Sequence, residues 1–581
     1  MPQSTPLQRL KERKLVQWAL AYLAGAWVLA EAADVIGGRW NLPDALYQGL
    51  FVLLGVGFFV TLVLAWYHGE QGRQRVSGPE LLMVAALLVV AGAALALLPG
   101  SDDRAPPAPS QPDTGRPSIA VLPLDNFSPD PADAYFADGM QEQLVSTLAK
   151  IGGLSVRGRT SVMRYREHPK PLPEIAEELG VRYVIEGSVR ITGGQVSFTA
   201  QLLDAVRDEH LWADEYDRAF SVDQVVSIHR EIAGHVVGEV QAVLTPEEAA
   251  RIGAEPTAST AAYEEYLRGQ FRWRTRSAED LEGAVEHFQR AIQLDPDFAL
   301  AYAGLAGCYA VSTYFSGDVD PSEMFRLGEN AAEEALRLSP DLAAAHAALG
   351  FLRMIGRRDW EGAEASLRQA IALDPEYAQA HHWLANYLGY TGRFEEAYAE
   401  AQEAIDLDPL NFAHNHVYAT LLYAGRRFDA AKAQYRHIID LFPDNFLGWA
   451  GLAEVNLVTG NLDEALRYRA RSDALFGIDS ASSATHLRMA STFHRTGTVG
   501  HLPPAFDTFG DPPDWGASSA MWVGDTATAL TRLEQASAEN WPDILAARNR
   551  PLYDPIRDHP RFQALIEAYF AGREPPLPRE P

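Results

Sequence analysis

One feature limits what this chain can become more than any other: a short apolar motif closing on proline returns at a near-constant interval. AIQLDP ends at Pro296, ALRLSP at Pro340, AIALDP at Pro375, AIDLDP at Pro409 and IIDLFP at Pro443, with spacings of 44, 35, 34 and 34 residues. A fixed period of this length marks a repeated supersecondary unit. Such a unit cannot bury its apolar face alone, so its neighbours must stack on it. Residues from about 263 to 476 therefore read as a solenoid of helix hairpins. The longer first interval marks an insertion, Ser312 to Phe325, within the second unit.

The register inside the period agrees. With Ala378 as position 1, position 7 is Leu384, 8 is Ala385, 20 is Ala397, 27 is Ala404 and 32 is Pro409. The next two units place Ala419, Ala431 and Tyr435, then Trp449, Leu452, Ala453 and Ala465, at matching places. Small residues fall where two helices cross closely, and proline falls where the second helix must end. Gly392-Arg-Phe394, Gly425-Arg-Arg-Phe428 and Gly460-Asn-Leu462 supply the turns. This pattern resembles tetratricopeptide repeats. Trp522 to Ala536 resembles part of one more repeat, and Leu552 to Leu565 resembles the closing segment of such arrays.

The resemblance implies a concave face lined by the first helix of each repeat, at positions 2, 5, 9 and 12. In one repeat these are Gln379, His382, Asn386 and Gly389; in the next they are Ala413, His416, Thr420 and Tyr423. Gln379, His382, Asn386, His416, Thr420 and Tyr423 form the expected peptide-binding row. They offer donors, acceptors and one aromatic face with little charge, which suits a neutral or mixed extended protein segment. The expected partner is a protein or peptide.

Ahead of the array the pattern changes. Ile119 to Leu124 is a short apolar run fit for a buried strand, and Tyr135 to Lys150 carries Phe136, Met140, Leu144 and Leu148 at helical spacing. Leu154 to Arg157 reads as a strand and Glu174 to Leu179 as a small helix ending at Gly180. Tyr183 to Arg190 and Gln195 to Leu203 read as strands joined by a tight Gly193-Gly194 turn. His210 to Tyr216 is another strand and Val222 to Val243 a long helix, so residues 118–246 read as a small mixed α/β domain. Asp138-Gly139 reads as a helix-start feature. SIAVLPLDNFSPDPADAYFADGMQEQLVSTLAKIGGLSVRGRTS, YVIEGSVR and HLWADEYDR resemble the TolB amino-terminal-like domain of bacterial membrane-anchored regulators. That resemblance implies a module that shares a chain with tetratricopeptide repeats. In relatives it follows a winged-helix or adenylate cyclase output domain, and neither is expected here. Gly153 to Thr160 has the spacing of a phosphate-binding loop, with Arg159 in place of lysine. Because Leu154 to Val156 look like the strand itself, the segment reads as a strand leaving a glycine turn.

Three apolar runs occupy the front: Leu15 to Ile36, Ala45 to Tyr67 and Leu81 to Leu98. Each is long enough to cross about 30 Å of hydrocarbon. Arg9, Lys11, Arg13 and Lys14 precede the first, Arg39 follows it, and Arg73 and Arg75 follow the second. Positive residues favour the cytoplasmic side. The expectation is thus a multi-pass inner-membrane protein with a cytoplasmic N-terminus and periplasmic C-terminal domains. Residues 100–117, with five prolines, form a semi-rigid tether. The fold class expected is multidomain: three N-terminal transmembrane helices, a small mixed α/β domain and a C-terminal all-α repeat solenoid, followed by an irregular segment, a partial repeat and a cap over 477–581.

Composition narrows the function. Lys and Arg number 49 against 77 Asp and Glu, a net charge of −28, which argues against a general nucleic-acid partner. A single cysteine, Cys308, rules out a disulfide framework within the chain. Neither a zinc-protease HExxH nor a GxSxG elbow occurs, and the His381-His382 and His414/His416 pairs do not share a helix face. The acids of DPDFA and DPEYA fall at turns between repeats. No enzyme activity, cofactor or metal is expected. The function expected is a membrane-anchored interaction scaffold with its groove outside the cytoplasm. The alternative is a transmembrane regulatory sensor relaying to a separate cytoplasmic partner.

Overall fold

This computed structural model describes residues 116–130, 133–273, 278–312, 320–499, 513–539 and 544–570. The first part is a sheet with helices on both faces. Its elements are β1 (Ser118–Val121), β2 (Asp125–Asn126), α1 (Ala134–Ala149), β3 (Ser155–Val156), α2 (Arg159–Glu167) and α3 (Leu172–Leu179). Then come β4 (Tyr183–Thr192), β5 (Gln195–Asp204), β6 (Glu209–Ala219), α4 (Val222–Glu239) and α5 (Pro246–Ile252). The strand order is β3-β1-β4-β5-β6, with β2 also on β4. β1 lies parallel to β3 and β4, and β4-β5-β6 form an antiparallel meander. Gly193 and Gly194 both take positive φ (60° and 77°), the backbone a two-residue hairpin turn needs.

Side chains alternate across a strand, so β1 feeds both faces. Ile119 and Val121 join Phe136, Met140, Leu144 and Leu148 of α1 and Val225, Ile228, Ile232 and Val236 of α4. Ala120 and Leu122 instead meet Val162 and Tyr165 of α2 and Ile175 and Leu179 of α3. Helix α2 has no counterpart in the sequence reading. Asp138 lies in the second turn of α1, not at its start. It is buried and accepts from Arg166 at 2.5 Å. Gly139 is needed for a close approach, since a Cβ there would stand 2.7 Å from Leu267 in the array's first helix.

The rest is helical hairpins: α6 (Thr260–Trp273) with α7 (Ala278–Leu294), α8 (Ala299–Ser312) with α9 (Pro321–Leu338), and α10 (Ala343–Leu352) with α11 (Trp360–Leu373). Three more follow: α12 (Ala378–Tyr390) with α13 (Phe394–Leu407), α14 (Phe412–Ala424) with α15 (Phe428–Leu441), and α16 (Phe446–Val458) with α17 (Leu462–Phe476). The alanines at register position 20, Ala397, Ala431 and Ala465, are fully buried. The turns within hairpins need one left-handed residue. Gly392 and Gly460 supply it in two, and Arg426 (φ 62°) and Arg358 (φ 56°) do so in two others. Then come α18 (Ser480–Thr496), α19 (Pro513–Trp522), α20 (Thr526–Ala538), α21 (Ile544–Ala547), a 3-10 turn (Pro551–Ile556) and α22 (Pro560–Phe570). The heart of the expected insertion, 313–319, lies outside the described residues.

Two expectations are corrected. Among the described residues no helix is long and apolar enough to cross a membrane. The longest, α4 and α9, reach 18 residues, and each carries charges on one side, such as Asp223, Arg230 and Glu231 in α4. The three N-terminal transmembrane helices and the multi-pass inner-membrane placement are therefore not carried forward. The runs at 15–36, 45–67 and 81–98 fall outside the described residues, as does most of the proline-rich tether.

Candidate functional site

The expected row lies on α12 and α14. Asn411 starts α14 by accepting from the amides of Ala413 and His414, so the second residue after the inter-repeat proline sets where the helix begins. Gln379 is half-buried in the first turn of α12. His382 is buried, with its ring 5.1 Å from that of His414. Asn386 turns its amide back on its own helix, donating to the His382 carbonyl at 3.1 Å. Thr420 does the same to the His416 carbonyl at 2.9 Å. Such back-bonding satisfies a polar group without a partner from outside.

The face of α14 is more enclosed than the register implied. His416 stacks on Phe412 and meets Tyr435 edge-on at 6.3 Å. Burial pushes its pKa down to about 4, and the nearby Arg550 cation adds to the effect. Tyr423 is only 3% exposed. Burial raises its hydroxyl well above the ordinary value, helped by the Glu454 carboxylate. His416, Thr420 and Tyr423 thus converge on one polar cluster that includes Tyr435, Glu454 and Arg550. His382 and Asn386 form a separate pair on α12.

Glu454 is the residue that the sequence reading missed. It sits at position 9 of the repeat that begins at Phe446, the one acid in the mostly apolar FLGWAGLAEVNLV. The 34-residue register could have found it. Its partner could not be found that way. Arg550 lies 96 residues further on and pairs two-pronged with it, at 2.7 and 2.5 Å.

A second polar cluster joins the α/β part to the array. Helix α2 begins at Gly158, which has no side chain to cap it. Asp408, at the end of α13, supplies the cap. Its Oδ1 accepts from the Ser161 amide at 2.8 Å and the Ser161 hydroxyl at 2.5 Å. The Leu410 amide donates to Ser161 Oγ, and the Gly158 amide to the Leu407 carbonyl. The helix start in the phosphate-loop-like stretch is thereby occupied by a carboxylate of the same chain. Acids of the inter-repeat turn face the same way, with Glu376 paired to Arg116 at 2.9 Å. Among the described residues there is no group of three or more His, Cys, Asp or Glu placed to hold a metal ion.

The repeats match known families. A family model described as "TPR repeat" matches residues 275–310, and one described as "Tetratricopeptide repeat" matches 355–412 and 419–474. Tetratricopeptide repeats are present, and such repeats indicate binding of protein or peptide partners. A Rhizobium meliloti (strain 1021) protein named "Putative adenylate cyclase 3" is 35% identical over 202 residues, which make up 35% of this chain and 34% of that one. The chain thus spans about a third of the length of that curated relative. Among solved structures it is similar to a thermophilic TPR protein of Thermus thermophilus, at 18% identity and a TM-score of 0.28, over 36% of this chain and 98% of that one. It is also similar to YrrB, described as a TPR protein with an unusual peptide-binding site, at 17% identity and a TM-score of 0.26, over 35% and 98%. Yeast Tom70 is a third, at 17% identity and a TM-score of 0.34, over 54% and 68%.

Proposed function

We propose that the chain is a non-enzymatic interaction scaffold whose first-helix row, from Gln379, His382 and Asn386 to His416, Thr420 and Tyr423, binds a protein segment. One observation supports this above the others. The repeats set these side chains on successive first helices along one line, and Glu454, at the matching place on the next first helix, already holds Arg550 of the same chain. The α/β part at 118–246 reads as a TolB amino-terminal-like module, on the motifs IAVLPLDNFSPD and YVIEGSVR. Its docking on Asp408 makes it a fixed companion of the array. A photo-crosslinking residue at half-buried Gln379 should capture partners in cells, and one at exposed Glu403 of α13 should not. Equal capture from both positions would sink the reading. A second reading, a regulatory part that relays to a separate protein, draws on the 202 residues shared with the protein named "Putative adenylate cyclase 3". Formation of cyclic AMP from ATP by the purified chain would overturn the non-enzymatic reading.

A further inference from the structure

The ion pair between Glu454 and Arg550 belongs to a longer contact. Asn549 donates its side-chain amide to the carbonyls of Gly389 and Tyr390, at the end of α12 (3.0 and 3.3 Å). Arg426, in the turn after α14, forks onto Asp554 at 2.7 and 2.9 Å. Between these, Leu552 and Tyr553 are 4% and 1% exposed. At the far end the Arg358 guanidinium lies 3.8 Å over the Tyr569 ring, and Trp360 stacks on Phe570 at 5.3 Å. Residues 549–570 thus touch four successive hairpins, from α16 back to α11.

These contacts are of the recognition kind. The repeats hold one another by small residues and apolar helix faces, with arginine–carboxylate pairs such as Arg393 with Glu364 and Arg427 with Glu395 at their turns. This segment adds Leu552, Tyr553, Ile556 and Phe562 to the same apolar core, and is further held by a forked arginine–carboxylate pair at each end of a short apolar stretch, by a side-chain amide on backbone carbonyls, and by ring stacking. Its 3-10 turn, with Pro555 inside, does not continue the helix-hairpin geometry. A buried acid such as Glu454, 5% exposed, is costly unless a cation meets it, so the array demands a basic group at that point.

Resting on the reading of this row as a binding groove, we propose that residues 549–570 are an internal ligand that holds the groove closed. The array recognises a segment presenting an arginine to Glu454 and, four residues later, an acid to Arg426, with apolar side chains between. In this chain that pattern is Arg550-Pro-Leu-Tyr-Asp554. A partner of this chemistry binds by displacing the internal segment, and its apparent affinity falls with the fraction of molecules that are open.

The probe is a fluorescent synthetic peptide of residues 544–570, added to the full chain. The parent chain should bind it weakly. A full chain carrying Asn549→Ala, Arg550→Ala and Asp554→Ala, which leaves every array residue intact, should bind it at least tenfold more tightly. A peptide with Arg550→Glu should lose that binding, and Glu454→Arg in the opened chain should restore it. Equal, weak binding by parent and opened chains of unchanged Tm would overturn the proposal and make the segment a permanent cap. Hydrogen exchange of the parent chain tests the same point without substitution. The amides of 549–570 should exchange together and faster than those of α12 to α17, and exchange only with global unfolding would also overturn it. Capture of partners at Gln379 with no peptide exchange would leave the groove standing and remove only the internal ligand.

Discussion

Asp408 is the residue whose removal should most clearly separate the α/β part from the array. Its carboxylate caps α2 from outside the helix, taking the Ser161 amide and hydroxyl, and its other oxygen accepts from Asn411 at 2.9 Å. Ser161 and Asp408 are 0% and 4% exposed, so water does not replace the lost acceptor without opening the contact. Losing a helix cap costs about 1 kcal/mol. Leaving a buried donor unmet costs about 1–3 kcal/mol. These overlap, since the Ser161 amide is counted in both, so Asp408→Ala should weaken the contact by about 2 kcal/mol. If Ser161 exchanges by local opening, its amide should then exchange about 30-fold faster, at roughly 1.4 kcal/mol per factor of ten. Asp408→Asn keeps an acceptor oxygen and should do much less. Gly158→Ala attacks the contact from the other side, because its Cβ would stand 2.5 Å from Asp408 Cγ. The assay is hydrogen exchange read by mass spectrometry over Arg159 to Tyr165. Exchange in Asp408→Ala within threefold of the parent would refute the capping argument.

Other consequences can be read in simpler assays. Ala397→Leu and Ala431→Leu each force a larger side chain into a fully buried helix crossing and should cost about 1–3 kcal/mol in thermal melts; unchanged Tm in both would mean the crossings are looser than described. His229 in α4 is buried edge-on to Phe198, and burial pushes its pKa down to about 4. Its neutral form is the folded form, so the stability it contributes is complete above pH 6.5 and is lost as pH falls towards 4. The loss is about 3 kcal/mol over that window. His229→Leu should flatten the dependence of urea stability on pH between 6.5 and 4, and identical slopes in parent and variant would count against a buried neutral imidazole. Asp408→Ala and Asn549→Ala should have additive effects on hydrogen exchange, because they act on opposite ends of the α12–α13 hairpin with no shared partner.

What the sequence disclosed follows from the range over which its signals act. Period and register are local, so the hairpins, the buried alanines at position 20 and the glycine turn at 193–194 could be read directly. Helix α2 was missed because RTSVMRYRE is short and strongly polar, and what stabilises its start is Asp408, 247 residues away. The row of candidate residues lies on α12 and α14, and its depth is what the register does not give. A register says which side of a helix a residue lies on. It does not say what later covers that side, and Tyr423 is enclosed by Glu454, which the period reaches, and by Arg550, which it does not.

The α12–α13 hairpin shows why that depth matters. One end of it, through Leu407, Asp408 and the turn acid Glu376, holds the α/β part. The other end, through the carbonyls of Gly389 and Tyr390, holds Asn549 of the internal segment. Both contacts are polar and specific, so each fixes the position of the hairpin. A helix pair packed to interior density moves as a unit rather than bending. A tilt of the hairpin that releases Asn549 must therefore also disturb the hydrogen bonds at Asp408, whereas release of Asn549 by a competing segment of matching chemistry need not move the hairpin at all. The geometry thus favours exchange of ligand on a stationary row over opening of the array.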